Sequence, residues 1–377
     1  MKIIADSDIP FVKEAFADFG SVYIIPANEI TRELCKDASI LLVRSVTKVD
    51  EALLEGSSIK FVATATIGTD HIDTVYLADQ QIGFASAPGS NANSVAEYVI
   101  AAILQLAKRG KCDIRKSTLG IIGAGNVGSR VFKMAESLGI RCLLNDPPKK
   151  RLTESDFYVS LEAVLEKSDI ISLHVPLTFD GPDKTVHMVN ENFIASMRDH
   201  AILINTSRGK VLDEAGISDV IERKIGGLVL DVWENEPAVN LKLLTLADIA
   251  TAHIAGYSFN GKINGVAMVH DAACAFFYKE KRWYAENILK TLENRTINLD
   301  TSKNPIDNAV ESAYSIMRDT KKLKKIVSME SEKQRGYFKE IRRNYPQRLE
   351  FPHFSIPHGN IDPNTCRILE EIGFSLM

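Results

Sequence analysis

The sequence predicts an α/β protein with two parallel-sheet domains and a small α+β domain at its end, and three observations carry this. Short apolar runs alternate with helix-spaced stretches through most of the chain. One such run, Thr118 to Ile122, feeds a glycine-rich turn, Gly123-Ala124-Gly125-Asn126-Val127-Gly128. Later runs end, one after another, in polar or charged residues.

Residues 1–92 read as the first parallel sheet: strand Lys2 to Ala5, a helix around Phe11 to Phe19, then strands Val22 to Ile25 and Ile40 to Val43. The last of these runs into Arg44-Ser45-Val46-Thr47, a cation and two hydroxyls at the carboxyl end of a strand, where open α/β sheets bind ligands. Phe61-Val62-Ala63-Thr64-Ala65-Thr66 repeats the arrangement and leads to Ile67-Gly68-Thr69-Asp70-His71, with amides that suit an anion. Arg44, Ser45 and Thr66 are therefore candidates to hold substrate; an ordinary solvated turn fits each loop taken alone.

Ala87-Pro88-Gly89-Ser90-Asn91 marks a crossing between domains. The next helix carries Val95, Val99, Ile103 and Leu106 on one face, with Asn93 or Ser94 as its cap, and stops near Arg109-Gly110. Residues 93–256 then read as the dinucleotide-binding domain. In the glycine fingerprint the first glycine permits the turn, the second admits a pyrophosphate, and the third lets helix approach strand. The helix from Asn126 presents its amino end to the phosphates, with Val127 the first of its apolar positions. Asp146, closing the strand Arg141 to Asn145, suits a ribose diol and repels a 2′-phosphate, which favours NAD. The turn and basic patch expected at Pro147-Pro148-Lys149-Lys150-Arg151 keep NADP open as an alternative.

Further strands end at His174-Val175, at Asn205-Thr206-Ser207-Arg208, at Asp231-Val232-Trp233 and, after Ile249 to Ala252, at His253. These ends are expected along one edge of the sheet, with Val175, Thr206, Ser207, Asp231 and Gly256 among the cofactor-binding positions. A helix from about Gly261 to Lys279 carries the chain back, so that the first domain comprises residues 1–92 with 257–285. Residues 286–377 are more basic and read as a third, α+β domain, with Lys321-Lys322-Leu323-Lys324-Lys325 as a solvated helix face.

At 377 residues the chain needs more than one core. Its net charge of -4 offers no general affinity for nucleic acid or membrane. The five cysteines are widely spaced, which suggests neither a disulfide framework nor a zinc knuckle, and His71, His174, His187 and His270 lack partners at metal-ligand spacing. No signal peptide is recognisable at Met1-Lys2-Ile3-Ile4, and a cytoplasmic location is expected.

Hydride transfer from an alcohol carbon needs a base for the hydroxyl proton, a cation for a neighbouring carboxylate and a group that orients the base. His253, Arg208 and Glu236 are of these types, each at or just beyond a strand end. Singly, each has a plain structural reading: a core histidine, an ion-paired arginine, a solvated acid before Pro237. Together they point to a catalytic set.

Gly123-Ala-Gly125-Asn-Val-Gly128 with Asp146, Asn205-Thr206-Ser207-Arg208-Gly209, Leu230-Asp231-Val232-Trp233-Glu234-Asn235-Glu236-Pro237 and Thr251-Ala252-His253-Ile254-Ala255-Gly256 resemble the ordered motifs of the D-2-hydroxyacid dehydrogenases. The resemblance implies two Rossmann-like domains, one flavodoxin-like and one dinucleotide-binding, with a cleft that closes over substrate and NAD. It implies NAD-dependent oxidation of a small phosphorylated 2-hydroxy acid, with Arg208 and Glu236 in the active site and His253 as proton donor, or base in the oxidative direction. Ser45, Thr66 and Tyr257 match substrate positions; Asp146, Asp231 and Gly256 match NAD contacts. Val175 stands where relatives can carry threonine, which leaves backbone or packing contact there, and Ile67 replaces a smaller residue. The C-terminal segment around Arg343-Asn344-Tyr345 resembles a dimerisation domain, implying a homodimer. Two other readings are a dehydrogenase for another 2-hydroxy acid, such as 3-phosphoglycerate, and a non-catalytic NAD(H)-sensing dimer, against which the intact Arg208, Glu236 and His253 argue.

Overall fold

The computed structural model describes residues 1–359 and 361–377. The chain forms two compact units, Met1–Asn91 with Ser258–Glu293, and Ala92–Tyr257 with Asn294–Met377.

In the first unit five strands pair in parallel, in the order Ser21–Ile25, Lys2–Asp6, Ile40–Val43, Phe61–Thr64, Gly83–Ala85. This 2-1-3-4-5 order is the flavodoxin-like arrangement. The apolar strands have residues to bury on both faces, as the period of two requires. Ile3, Ala5, Ile40, Leu42 and Ala63 face one core, closed by Val266, Val269 and Ala273 of the helix Phe259–Phe276. Ile4, Leu41, Val43 and Val62 face the other, with Leu54 and Leu77. The helix expected around Phe11 to Phe19 is broken into Val12–Ala15 and a 3-10 turn Ala17–Phe19. The returning helix begins earlier than its apolar spacing indicates, because Ser258 caps it by accepting from the Gly261 amide at 2.8 Å.

The second unit holds a six-stranded parallel sheet in the order Ile249–Ala250, Gly227–Leu230, Ile202–Asn205, Ile170–Leu173, Thr118–Ile122, Arg141–Asn145. Strand order reverses between Ile170–Leu173 and Thr118–Ile122, and at such a switch point the crevice beyond the strand ends takes a ligand. The helix Ala92–Lys108 is buried over most of its surface. It starts before the two expected caps: Ser94 donates to the Ala255 carbonyl at 2.9 Å and Asn93 reaches Glu97 and Glu350. Pro147-Pro148-Lys149-Lys150-Arg151, expected as a turn, lies in a helix, Pro147–Thr153, because Asp146 accepts from the Lys149 amide and the prolines fit a first turn.

Residues 294–377 carry a small parallel sheet, Arg295–Thr296, Phe354–Ile356 and Ser375–Leu376, yet they cluster with residues 92–257. Leu323, Ile326 and Phe338 join the core of the nucleotide sheet. Lys324, on the face expected to be solvated, instead donates to the Ala247 carbonyl at 2.5 Å, closing the carboxyl end of the helix Leu241–Leu246. Among the described residues no helix is long and apolar enough to cross a membrane.

Candidate active site

Asparagine and aspartate side chains build the edge of the six-stranded sheet. At the glycine turn, Gly123 has φ +89°, and a Cβ there would stand 2.5 Å from the His174 carbonyl oxygen. A Cβ on Gly128 would meet the Gly123 oxygen at 2.0 Å, whereas Gly125 faces open space. The first amides of the helix Asn126–Ser137 lack intrahelical partners, so this cradle fits a pyrophosphate. Asp146 Oδ2 accepts from the Ala124 amide at 2.9 Å, which ties the ribose-side acid to the turn. Lys149 Nζ donates to the Ala124 carbonyl at 2.5 Å, and Arg151 pairs with Asp183. Two of the three cations behind Asp146 are thus committed within the protein.

Burial of the His174 ring pushes its pKa down to about 3. It is neutral, with Ser172 Oγ 2.9 Å from Nε2 and Thr206 Oγ1 3.5 Å from Nδ1. Val175 follows it at the strand end.

Beyond Ile202–Asn205 the Asn205 side chain shapes the loop: Oδ1 accepts from the Ser207 amide and hydroxyl, and Nδ2 donates to the Arg208 carbonyl at 3.0 Å. Arg208 Nη1 donates to the Ser207 carbonyl. A Cβ on Gly209 would stand 2.0 Å from the Trp233 carbonyl carbon and oxygen, so glycine lets the Arg208 loop lie against the loop that leads to Glu236.

Asp231, expected as a cofactor contact, is 1% exposed, and its carboxylate is engaged by the protein. It accepts from Thr251 Oγ1, the Ile254 amide and the Ala255 amide, while its carbonyl accepts from the His253 amide. These bonds hold His253 at φ +55°, a left-handed conformation that costs a non-glycine residue free energy. His253 Nδ1 lies 2.5 Å from Glu236 Oε1. Burial pushes the Glu236 carboxyl up, but His253, followed by Arg342, outweighs it and holds the pKa below its ordinary value. Glu236 is a carboxylate that fixes the imidazole's tautomer, leaving Nε2 for exchange with an alcohol.

Arg342 was not singled out by the sequence reading, although the basic run around it was. It closes the helix Ser331–Arg343 and lies over the Tyr257 ring, 5.2 Å from guanidinium carbon to centroid. Tyr257, an expected substrate position, also meets Tyr345 edge-on at 6.1 Å. Gly256 sits between this tyrosine and the amides held by Asp231.

In the first unit, Arg44 is 8% exposed and donates to the Asp8 carbonyl at 3.4 Å. Ser45 beside it is exposed. Thr66 Oγ1 lies 2.7 Å from Thr64 Oγ1 and 3.2 Å from the Gly68 carbonyl oxygen. The Asp6 carboxyl is pushed up by burial, with the Asp8 amide and then Arg44 acting against the rise. One further grouping is invisible to spacing: ligand-type atoms of His187, Asp213 and Glu234 lie within 4.8 Å of one another, beside the start of the helix Glu214–Lys224 that Asp213 caps.

Residues 94–255 match the family model for the NAD binding domain of D-isomer specific 2-hydroxyacid dehydrogenases. The whole chain is 40% identical to the erythronate-4-phosphate dehydrogenase of Salmonella arizonae and 39% identical to that of Klebsiella pneumoniae, covering 98% of each. Among solved structures, D-lactate dehydrogenase from Aquifex aeolicus, complexed with NAD and lactic acid, is similar with a TM-score of 0.62 and 32% identity, over 73% of this chain and 95% of that one. NAD-bound 3-phosphoglycerate dehydrogenase from Entamoeba histolytica is similar with a TM-score of 0.64 and 27% identity, over 74% and 95%.

Proposed function

The chain belongs to the D-isomer specific 2-hydroxyacid dehydrogenase family, and from that premise we propose that it oxidises 4-phospho-D-erythronate to 3-hydroxy-2-oxo-4-phosphobutanoate with NAD. The observation that carries the chemistry is the 2.5 Å contact between His253 Nδ1 and Glu236 Oε1. With Nδ1 so engaged, Nε2 takes the proton of the substrate's 2-hydroxyl as the carbonyl forms. Glu236 stabilises the imidazolium that results and keeps the ring's orientation. Arg208 binds the substrate carboxylate through its planar fork and polarises the developing carbonyl. NAD, when bound, supplies the acceptor for the hydride that leaves C2.

Gly123, Gly125, Asn126, Val127 and Gly128 are proposed to take the pyrophosphate, and Asp146 the ribose. Val175, Thr206, Ser207 and Gly256 are proposed to line the rest of the cofactor site. Asp231, which fixes the adjoining loop, is proposed as a cofactor contact in the same site. Arg44, Ser45 and Thr66 are the proposed readers of the substrate's anionic groups, with Tyr257 as a further substrate contact. A homodimer, which the resemblance of the C-terminal segment implies, is part of the same proposal. A role toward pyridoxal 5′-phosphate and a cytoplasmic location belong to the same proposal.

The deciding experiment follows nicotinamide absorbance with 4-phosphoerythronate, 3-phosphoglycerate and D-lactate, each with NAD and NADP. The proposal expects kcat/KM with 4-phosphoerythronate and NAD to exceed every other pairing by at least about tenfold, about 1.4 kcal/mol of transition-state discrimination. Preference for 3-phosphoglycerate would reassign the substrate, and absence of turnover with any acid would favour a sensing role.

A further inference from the structure

The nucleotide sheet supplies Arg208, Glu236 and His253, but another charge reaches this set from outside that sheet. Arg342 belongs to the last turn of Ser331–Arg343, where a cation is favoured by the helix dipole. Its guanidinium lies over Tyr257, four residues beyond His253. The chain just past the helix is pinned as well: Tyr345 Oη donates to Asp319 Oδ2 at 2.7 Å, and the Tyr345 ring meets Tyr257 edge-on. The Arg342 head is therefore located by its helix, by the tyrosine beneath it and by the anchored segment that follows.

Arg342 Nε is buried with no hydrogen-bond partner among the described residues. Its positive charge acts on the Glu236 carboxylate, in the same sense as His253. A charge that is seated on a ring rather than neutralised by direct pairing remains available to its surroundings.

We propose that Arg342, supplied by the C-terminal segment and seated on Tyr257, is a positioning residue for proton transfer that keeps the charge of Glu236 directed at His253. The inference rests on the dehydrogenase reading of that pair. The other charged groups to be weighed around Glu236 are Glu234 on its own loop, Glu214 at the start of the neighbouring helix, and Arg208 on the adjoining loop. Both glutamates oppose a negative Glu236 when ionised. Arg342 acts on Glu236 in the opposite sense.

The test compares Arg342→Gln and Arg342→Lys with the parent, each loaded with NAD. Histidine rings labelled for NMR report the low-pH titration of the Glu236–His253 pair with no substrate present, and kcat/KM against pH reports it during turnover. In Arg342→Gln, Glu236 loses an attracting cation and accepts a proton more readily. The low-pH midpoint should therefore move upward by about one unit, while the KM for NAD is unchanged. Arg342→Lys should restore most of the shift. Superimposable titrations of parent and Arg342→Gln would overturn the inference, and so would a lysine variant that behaves as glutamine does. Should Arg342→Gln fold poorly, Tyr257→Leu removes the seat and leaves the charge; it should also move the midpoint, and an unmoved midpoint would overturn the proposal. Because the NMR titration needs no substrate, a wrong substrate assignment leaves it unaffected.

Discussion

Asp231 Oδ1 accepts a hydrogen bond from the Ile254 amide at 2.7 Å, and through that bond a buried acid fixes the backbone immediately beyond His253. Oδ2 holds the Ala255 amide at 3.0 Å, and Thr251 Oγ1 donates to Oδ1 at 2.6 Å.

Replacing one of these oxygens by an amide donor sets N–H against N–H inside the core. Asp231→Asn is expected to destabilise the protein by about 2–4 kcal/mol, since bonds to charged groups and buried unsatisfied donors are each worth about 1–3 kcal/mol. It should lower kcat about a hundredfold by loosening the His253 loop. Denaturant titration and steady-state kinetics check the two halves separately; a stable variant with normal kcat would refute the positioning role.

His253→Gln should lower kcat about 10²–10⁴-fold, the usual contribution of positioned acid–base catalysis. Glu236→Gln keeps the shape of the acid but not its charge, and is expected to cost at least about 10²-fold. The double variant should be no worse than His253→Gln, because Glu236 acts through the imidazole. Additive losses in single-turnover rates would show that Glu236 has an independent role.

Glu214 presents a different electrostatic case. Burial, with Glu234 and Glu236 nearby, pushes its carboxyl up to about 7, although a hydrogen bond from the Glu234 amide opposes this. A carboxyl with its folded pKa raised binds more protons folded than unfolded between about 4.5 and 7. Its contribution therefore favours folding as pH falls through that window and is unfavourable above it. Glu214→Gln, which can still accept from the Glu234 amide, should be more stable than the parent at pH 8 by up to about 3 kcal/mol. The difference should close by about pH 4.5. Chemical denaturation at both pH values tests the sign.

Arg348 is 6% exposed and donates through Nη2 to the carbonyls of Ser94 and Ala255, with its guanidinium 4.4 Å from the Tyr314 ring centroid. Glu350 supplies opposing charge, while burial, with Glu350 beside it, pushes the Glu97 carboxyl well above the usual range and Arg348 acts against that rise. Arg348→Met should cost about 3–5 kcal/mol, as removal of one member of a buried charged group does. Arg348→Met with Glu97→Gln should recover part of that loss in equilibrium unfolding; an equal or larger loss would show that the charges are uncoupled.

What the sequence made legible was local. Thr118 to Asp146 encodes strand, turn, helix and acid in consecutive residues, and the ends carrying Arg208, Glu236 and His253 announce themselves by polar residues after apolar runs. What stayed hidden depended on pairing over distance. Arg295–Thr296 pairs with Phe354 and Ser355, and Ser375 with Ser355, in strands too short to show a period. No local pattern reveals that the Asp231 oxygens meet the amides of residues 254 and 255. Arg342 was one cation in a basic run until the fold placed it over Tyr257. The helix at Pro147–Thr153 was missed for a local reason: two prolines suggested a turn, while Asp146 before them made a cap.

The helix Phe259–Phe276 completes a sheet whose first strand is Lys2–Asp6, and that separation has a consequence during translation. At a ribosomal rate of about 5–20 residues per second, roughly 250 residues must be added before the helix follows the strand, a delay on the order of tens of seconds. Until then Ile3, Leu42 and Ala63 lack Val266, Val269 and Ala273 to cover them. A nascent chain released early would carry this apolar face exposed, a ready client for a holding chaperone.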